Sequence, residues 1–361
     1  MKDFLFDAME AHDYENIFFC QEKALGLKAI IVIHDTTLGP AAGGVRMKPY
    51  ETEAEAIEDA LRLARSMTYK NAAAGLPYGG GKCVVIGDPR HEKSEALFQA
   101  LGRFIDRLGG LFLSGPDSGT GLREMEIMRL ETPYVVTLPE SWGGPGDSSP
   151  ATAFGVLQGM RACLKAVFGS ADLQGRSVAV QGVGAVGHDI VRHLVEGGAV
   201  VTVADVDEER VQAMVRQFGV QVTAPEAISR LAVDVYCPCA LGGTLNAQSI
   251  PELRCAIVCG SANNQLAQDT DGDMLDQRGI LYAPDYIVNA GGVISGLDSL
   301  NPGGFNKQRA LEKVARLYDA MESVIAIAKE QHAPTYRAAD LLAERRIAHG
   351  RQVKRLANYK L

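Results

Sequence analysis

The chain alternates short continuous apolar runs with segments in which apolar residues return every three or four positions. Residues 28–34, K-A-I-I-V-I-H, hold an unbroken apolar run over 29–33 and predict a buried strand. Thr52 stands three residues before Glu55, the spacing of a capping box, and predicts a helix start. Ile57, Leu61, Ala64 and Thr68 then recur at helical spacing, which puts Lys70 at or just past the helix end. Residues 82–89, K-C-V-V-I-G-D-P, read as a short buried strand that starts at Lys82 and closes on Asp88-Pro89. From Ser94 to Leu108 a second amphipathic helix carries Leu97, Leu101, Phe104 and Leu108 on one face.

The pattern breaks at residues 139–150, P-E-S-W-G-G-P-G-D-S-S-P, which are turn formers almost throughout and mark a candidate hinge. Trp142 within it is expected to pack. Beyond the hinge, residues 151–168 read as a helix, and 177–194 as strand, glycine loop and helix. Residues 200–205, 233–240 and 255–260 are apolar runs of the kind found in a parallel sheet covered on both faces. Asn306–Gln331 and Thr335–Gly350 are helical in pattern. The whole predicts an α/β fold of two domains with a cleft between them.

Composition narrows the class. The 361 residues suit two domains, and 47% hydrophobic with 22% charged residues is the balance of a globular chain. A net charge of −8 argues against a nucleic-acid partner. The 39 glycines cluster without a period, so a collagen-like reading fails. Seven cysteines, at 20, 83, 163, 237, 239, 255 and 259, include no C-x-x-C pair, so no metal site is expected. Most lie in apolar runs and read as buried thiols of a reducing compartment. The acidic N-terminus lacks the apolar core of a signal peptide, and no run is long enough to span a membrane. A cytoplasmic location is expected.

Gly182-Val183-Gly184-Ala185-Val186-Gly187 is a G-x-G-x-x-G between a strand and a helix, and Asp205 ends the next strand. In that context Gly182 permits the tight turn, Gly184 admits a pyrophosphate and Gly187 allows close helix–strand contact. Asp205 would accept from the ribose hydroxyls and repel a 2′-phosphate, which favours NAD over NADP. Asp207 is the nearby competitor, with a helix N-cap as its simpler role. The second domain is therefore expected to be a Rossmann-type NAD-binding domain.

Residues 70–82, K-N-A-A-A-G-L-P-Y-G-G-G-K, place two lysines around small, uncharged residues. A phosphate loop would need glycine at Leu76 and a hydroxyl at Cys83, and has neither. A solvated turn does not explain three glycines before a strand, which would bring backbone and substrate close. A lysine in such a cleft, beside another cation, has reason to lose its proton and act as a base.

L-P-Y-G-G-G-K-C-V-V-I-G-D-P (76–89) resembles the signature around the catalytic lysine of the glutamate/leucine/phenylalanine/valine dehydrogenases. S-M-T-Y-K-N-A-A-A-G-L, P-D-S-G-T, Q-G-V-G-A-V-G, C-P-C-A-L-G-G-T-L-N, G-S-A-N-N-Q-L and Y-A-P-D-Y-I-V-N-A-G-G match blocks of the leucine and phenylalanine branch in order, over nearly the whole chain. The glutamate enzymes are longer and match less well. The resemblance implies that residues 1–138 with about 333–361 form a substrate-binding, catalytic and oligomerisation domain, and 139–332 the NAD domain. It implies that Lys70 binds the substrate carboxylate, Lys82 activates water, and Asp117 exchanges protons with the amino group. Gly43 and Gly44 would let backbone close on the substrate. Asn263 would fix substrate and nicotinamide, and Thr152 would hold the nicotinamide amide. Asp117 capping a helix near Gly119-Thr120, and Asn263 in a plain turn, are the simpler alternatives. His34 is expected to be structural.

Relatives acting on leucine place Leu, Ala and Val where this chain has Ala42, Gly115 and Gly296, with Val293 a further pocket residue. All three positions are smaller here. Phenylalanine-type relatives share the glycine before the aspartate and resemble G-G-P-G-D-S-S-P-A-T-A in the hinge. Pro116 beside Asp117, and the segment 295–305, depart from the family pattern. The expected activity is reversible NAD-dependent oxidative deamination of a hydrophobic L-amino acid to its 2-oxo acid and ammonia. A bulky side chain is favoured, phenylalanine first and tryptophan after it. Leucine or another branched-chain substrate is the alternative, and a non-catalytic NAD and amino-acid sensor is a reading from another class. A homo-oligomer of unstated size is expected.

Overall fold

The structure is a computed structural model and describes residues 4–358. Contacts divide the chain into two compact units. One comprises Met1–Gly146, Gly296–Asn306 and Ala343–Leu361; the other comprises Asp147–Ser295 and Lys307–Leu342. The stretch 296–306, expected with the NAD domain, groups with the first unit, and 333–342 groups with the second.

The first unit holds a five-stranded sheet. Its strands are β1 (Asn16–Glu22), β2 (Leu27–Asp35), β3 (Ala41–Lys48), β4 (Gly79–Ile86) and β5 (Phe112–Pro116), in the order β1-β2-β4-β3-β5. β2 pairs antiparallel with β1 and β4, while β3 runs parallel to β4 and β5. Alternation along the strands serves two cores. Ile31, Ile33, Val45, Met47, Cys83 and Val85 join Phe98, Leu101 and Phe112 on one face. Ile30, Val32 and Val84 join Ala56, Ala60, Leu61 and Ala64 on the other. Each large side chain removed from water contributes about 1.5–3 kcal/mol.

The helix Glu53–Ala73 begins where its capping pattern puts it, with Thr52 accepting from the Glu55 N–H at 3.2 Å. It runs three residues beyond Lys70, so that lysine lies inside the last turn. The glycines of the opening motif also lie inside an element, since β4 starts at Gly79 and Lys82 is central in it. Close approach of backbone explains them. A Cβ on Gly80 would fall 2.0 Å from the Thr68 nitrogen, and one on Gly79 would fall 1.9 Å from the Asp35 carbonyl oxygen. Here the glycines serve helix-on-strand and strand-on-strand contact, where a substrate-facing use was expected.

The second unit holds a six-stranded parallel sheet. Its strands are β6 (Ser177–Gln181), β7 (Val200–Ala204), β8 (Gln221–Val222), β9 (Ala232–Pro238), β10 (Arg254–Val258) and β11 (Leu281–Tyr282). The order β11-β10-β9-β6-β7-β8 is that of a doubly wound dinucleotide-binding sheet, which switches direction between β6 and β9. The expected C-terminal helix over 306–331 is two helices, Lys307–Ala315 and Leu317–Gln331.

Candidate active site

β3, β4 and the end of β5 bring charged groups together inside the first unit. Lys82 is 4% exposed, and its Nζ lies 3.0 Å from Asp117 Oδ2. Arg46 Nε donates to the same oxygen at 2.7 Å. The Arg46 Nη1 continues to Asp59 Oδ2 at 3.1 Å, and Asp59 also accepts from the Tyr50 hydroxyl and from Arg62. Burial pushes the Lys82 amine below its ordinary value; Asp117 opposes this and the like charge of Arg46 adds to it. Burial alone would raise Asp117, but Lys82 and Arg46 overcome it and hold the carboxyl below its usual range. The site thus pairs a lysine made easier to deprotonate with an ionised carboxylate that can take and return a proton.

The loop after β5 is latched to β3. The Asp117 N–H donates to Thr120 Oγ1 at 3.0 Å, and that hydroxyl donates to the Val45 carbonyl at 2.7 Å. The Asp117 carboxylate does not cap the next helix; the Gly121 N–H is met by Glu124 instead. Pro116 ends the strand and leaves Asp117 within reach of both cations. Gly44 must be small here, because a Cβ would lie 2.7 Å from that of Asp117 and 3.2 Å from Lys82 Nζ. A Cβ on Gly43 would strike the Gly81 carbonyl oxygen at 1.8 Å. Lys70 is half-buried, two residues beyond Thr68 on the helix that lies against Gly80.

The three small residues of the expected side-chain pocket differ from one another. Ala42 is buried. A Cβ on Gly115 would find only ordinary contacts, Val136 at 3.4 Å and Thr137 at 3.8 Å, so a methyl-sized space stands beside it. At Gly296 the expected space is filled, because Thr137 Oγ1 lies 2.2 Å from where a Cβ would be.

In the second unit Gly182 has a φ of +93°, which only glycine adopts freely, and a Cβ there would meet Ala240 at 2.8 Å. A Cβ on Gly187 would lie 2.1 Å from the Gly182 carbonyl. Gly184 is different: a Cβ there would meet only Arg210 Nη1, at 3.8 Å, which leaves open room at the start of the helix Ala185–Glu196. Asp205 accepts from the Val183 N–H at 2.8 Å and the Asp207 N–H at 3.0 Å, and keeps lone pairs for further donors. Asp207 caps the helix Glu208–Phe218 through Glu209 and Arg210. Thr152 donates to the Ser148 carbonyl at 3.0 Å, and Gly292 leaves room for its hydroxyl. Asn263 Oδ1 accepts from Asn289 at 2.8 Å. Val293 is half-buried on the helix Gly291–Asp298.

Sequence reasoning missed Arg46, Asp59 and Asn289. Arg46 offered no local signal, being a lone arginine in A-A-G-G-V-R-M-K. Asn289 lies in a block quoted above without a role. His34 is structural: its ring bonds Thr68 Oγ1 at 2.8 Å and the His12 carbonyl at 3.0 Å. Trp142 is 45% exposed, not packed.

Residues 16–134 match the model of the Glu/Leu/Phe/Val dehydrogenase dimerisation domain. Residues 143–209 and 206–355 match that of the glutamate/leucine/phenylalanine/valine dehydrogenases. The chain belongs to this family. Leucine dehydrogenase of Geobacillus stearothermophilus is 52% identical over 350 residues, covering 97% of this chain and 95% of that one. Valine dehydrogenase of Streptomyces albus is 48% identical, covering 94% and 93%. Among solved structures, L-tryptophan dehydrogenase from Nostoc punctiforme is 41% identical with a TM-score of 0.85, covering 96% of this chain and 99% of that one. This family member is an amino acid dehydrogenase, and its cofactor is NAD. The second unit fits that cofactor: Gly184 leaves space for a pyrophosphate at a helix N-terminus, and Asp205 is held by backbone donors at the end of β7.

Proposed function

We propose that this dehydrogenase oxidatively deaminates a bulky hydrophobic L-amino acid, phenylalanine first and tryptophan after it. The observation that carries the chemistry is the convergence of Lys82 and Arg46 on Asp117 in a small-residue setting. In this reading the Lys70 ammonium holds the α-carboxylate. NAD supplies the acceptor for the hydride that leaves the α-carbon. Lys82, as the free amine, activates water for attack on the resulting iminium carbon. Asp117 takes protons from the amino group and returns them to the carbinolamine nitrogen as ammonia leaves, so a 2-oxo acid remains. Thr152 and Asn263 hold the nicotinamide end, and Gly182, Gly184, Gly187 and Asp205 the adenosine end. Burial of Lys82 and its latched partner supports positioning plus acid–base catalysis.

Substrate size rests on the methyl-sized space at Gly115 and on Ala42. The second reading, leucine, is favoured by the 52% identical relative and by Thr137 filling the position at Gly296. NADH formation from phenylalanine, tryptophan and leucine separates them. We expect the highest kcat/KM for an aromatic substrate; leucine clearly ahead refutes the large-pocket reading. No turnover with any of the three, in either direction, would favour a sensor. We also place the enzyme in the cytoplasm as a homo-oligomer; the dimerisation domain named by its family model supports the second point. Among the described residues no helix is long and apolar enough to cross a membrane.

A further inference from the structure

Thr137 is buried with a φ of +62°. Asparagine and aspartate visit this left-handed region readily, but a β-branched residue there is an outlier that its surroundings must enforce. Its hydroxyl oxygen lies 2.2 Å from the position a Cβ on Gly296 would take, and 3.8 Å from the corresponding position on Gly115. Gly296 sits in the helix Gly291–Asp298 with no positive φ, where propensity prefers alanine. Its backbone does not require glycine. The threonine across from it does.

We propose that Thr137 is a specificity-determining residue. Its side chain takes the wall position that residue 296 would otherwise fill, and bounds with a hydroxyl the space left beside Gly115. This rests on the reading above, in which Gly115 and Gly296 line the substrate side-chain pocket. The two residues then form an exchange: a small residue at 137 requires a larger one at 296, and threonine at 137 forbids it. The wall at 296 is not opened by its glycine. The pocket's width is set by Thr137.

Thr137→Gly removes both the wall and the left-handed side chain, so the variant is expected to fold. Measured with NAD, its kcat/KM for tryptophan relative to leucine is expected to rise by about tenfold or more, the effect of one methylene-sized group in an apolar pocket. Gly296→Ala is expected to lower the melting temperature sharply in the unaltered background and little in Thr137→Gly. A tryptophan-to-leucine ratio that stays within about twofold, well below what such a group is worth, overturns the proposal. So does an equal cost of Gly296→Ala in both backgrounds. If the unaltered enzyme oxidises none of phenylalanine, tryptophan and leucine, the substrate reading fails and this proposal with it. Normal turnover with an unmoved ratio in Thr137→Gly refutes the role of Thr137 alone.

Discussion

Lys82 and Arg46 reach the same oxygen of Asp117, one from β4 and one from β3. Arg46 also has Asp59 as a partner, whereas the buried Lys82 has Asp117 as its ion-pair partner. The lysine's pKa is lowered by burial first, and Arg46 pushes further in the same direction. If the free amine is the active form, the rate of oxidative deamination rises with pH, with a midpoint below that of an ordinary lysine. Arg46→Gln removes a like charge from Lys82, so its pKa rises and the ascending limb should move to higher pH by roughly one unit. A limb that stays in place would remove Arg46 from the tuning of the amine. The lysines and Asp117 could be singled out as candidates because each sits in a short local motif. Arg46 and Asp59 were not, because their partnership joins residues far apart along the chain, and an arginine inside A-A-G-G-V-R-M-K carries no local sign of it.

At the scale of elements, the helix Glu53–Ala73 is pressed onto β4 and β2. Thr68 meets Gly80 by steric contact and His34 by a hydrogen bond. Gly80→Ala should cost about 3 kcal/mol or more, because the intruding Cβ meets backbone that has no rotamer to yield; thermal denaturation checks this. His34 is pushed down to about 4, chiefly by burial. Its folded pKa lies below the unfolded value near 6.5, so protonation favours unfolding. Stability is expected to be full above pH 6.5 and to fall by up to about 3 kcal/mol as pH drops toward 4. Denaturant titrations of the protein and of His34→Gln across that window should show a shallower slope in the second than in the first, because His193, also pushed down by burial, remains in both. The helix was readable from its cap and its spacing. β3 and the start of β4 were not, because Ala-Ala-Gly-Gly and Gly-Gly-Gly lack the branched residues that mark strands. They are strands because neighbours on both sides pair with them.

On the scale of the whole molecule, four strands of the parallel sheet and its glycine loop followed from patterning, since apolar runs, a G-x-G-x-x-G and an aspartate fall in the order such a sheet needs; the two-residue strands β8 and β11 are too short to leave a pattern. The return of 296–306 to the first unit did not, because S-G-L-D-S-L-N-P-G-G-F has no periodicity that assigns it to either. Family membership ties both units to one reaction, and its proposed central step falls to Lys82. Lys82→Ala tests that most directly. NAD binding, followed by fluorescence titration, and NADH formation from the preferred amino acid are measured on the same preparation. Unchanged NAD affinity is expected, with turnover reduced by roughly 100- to 10,000-fold, the range for losing a positioned acid–base group. Turnover within about tenfold of the unaltered enzyme, below that range, would contradict it.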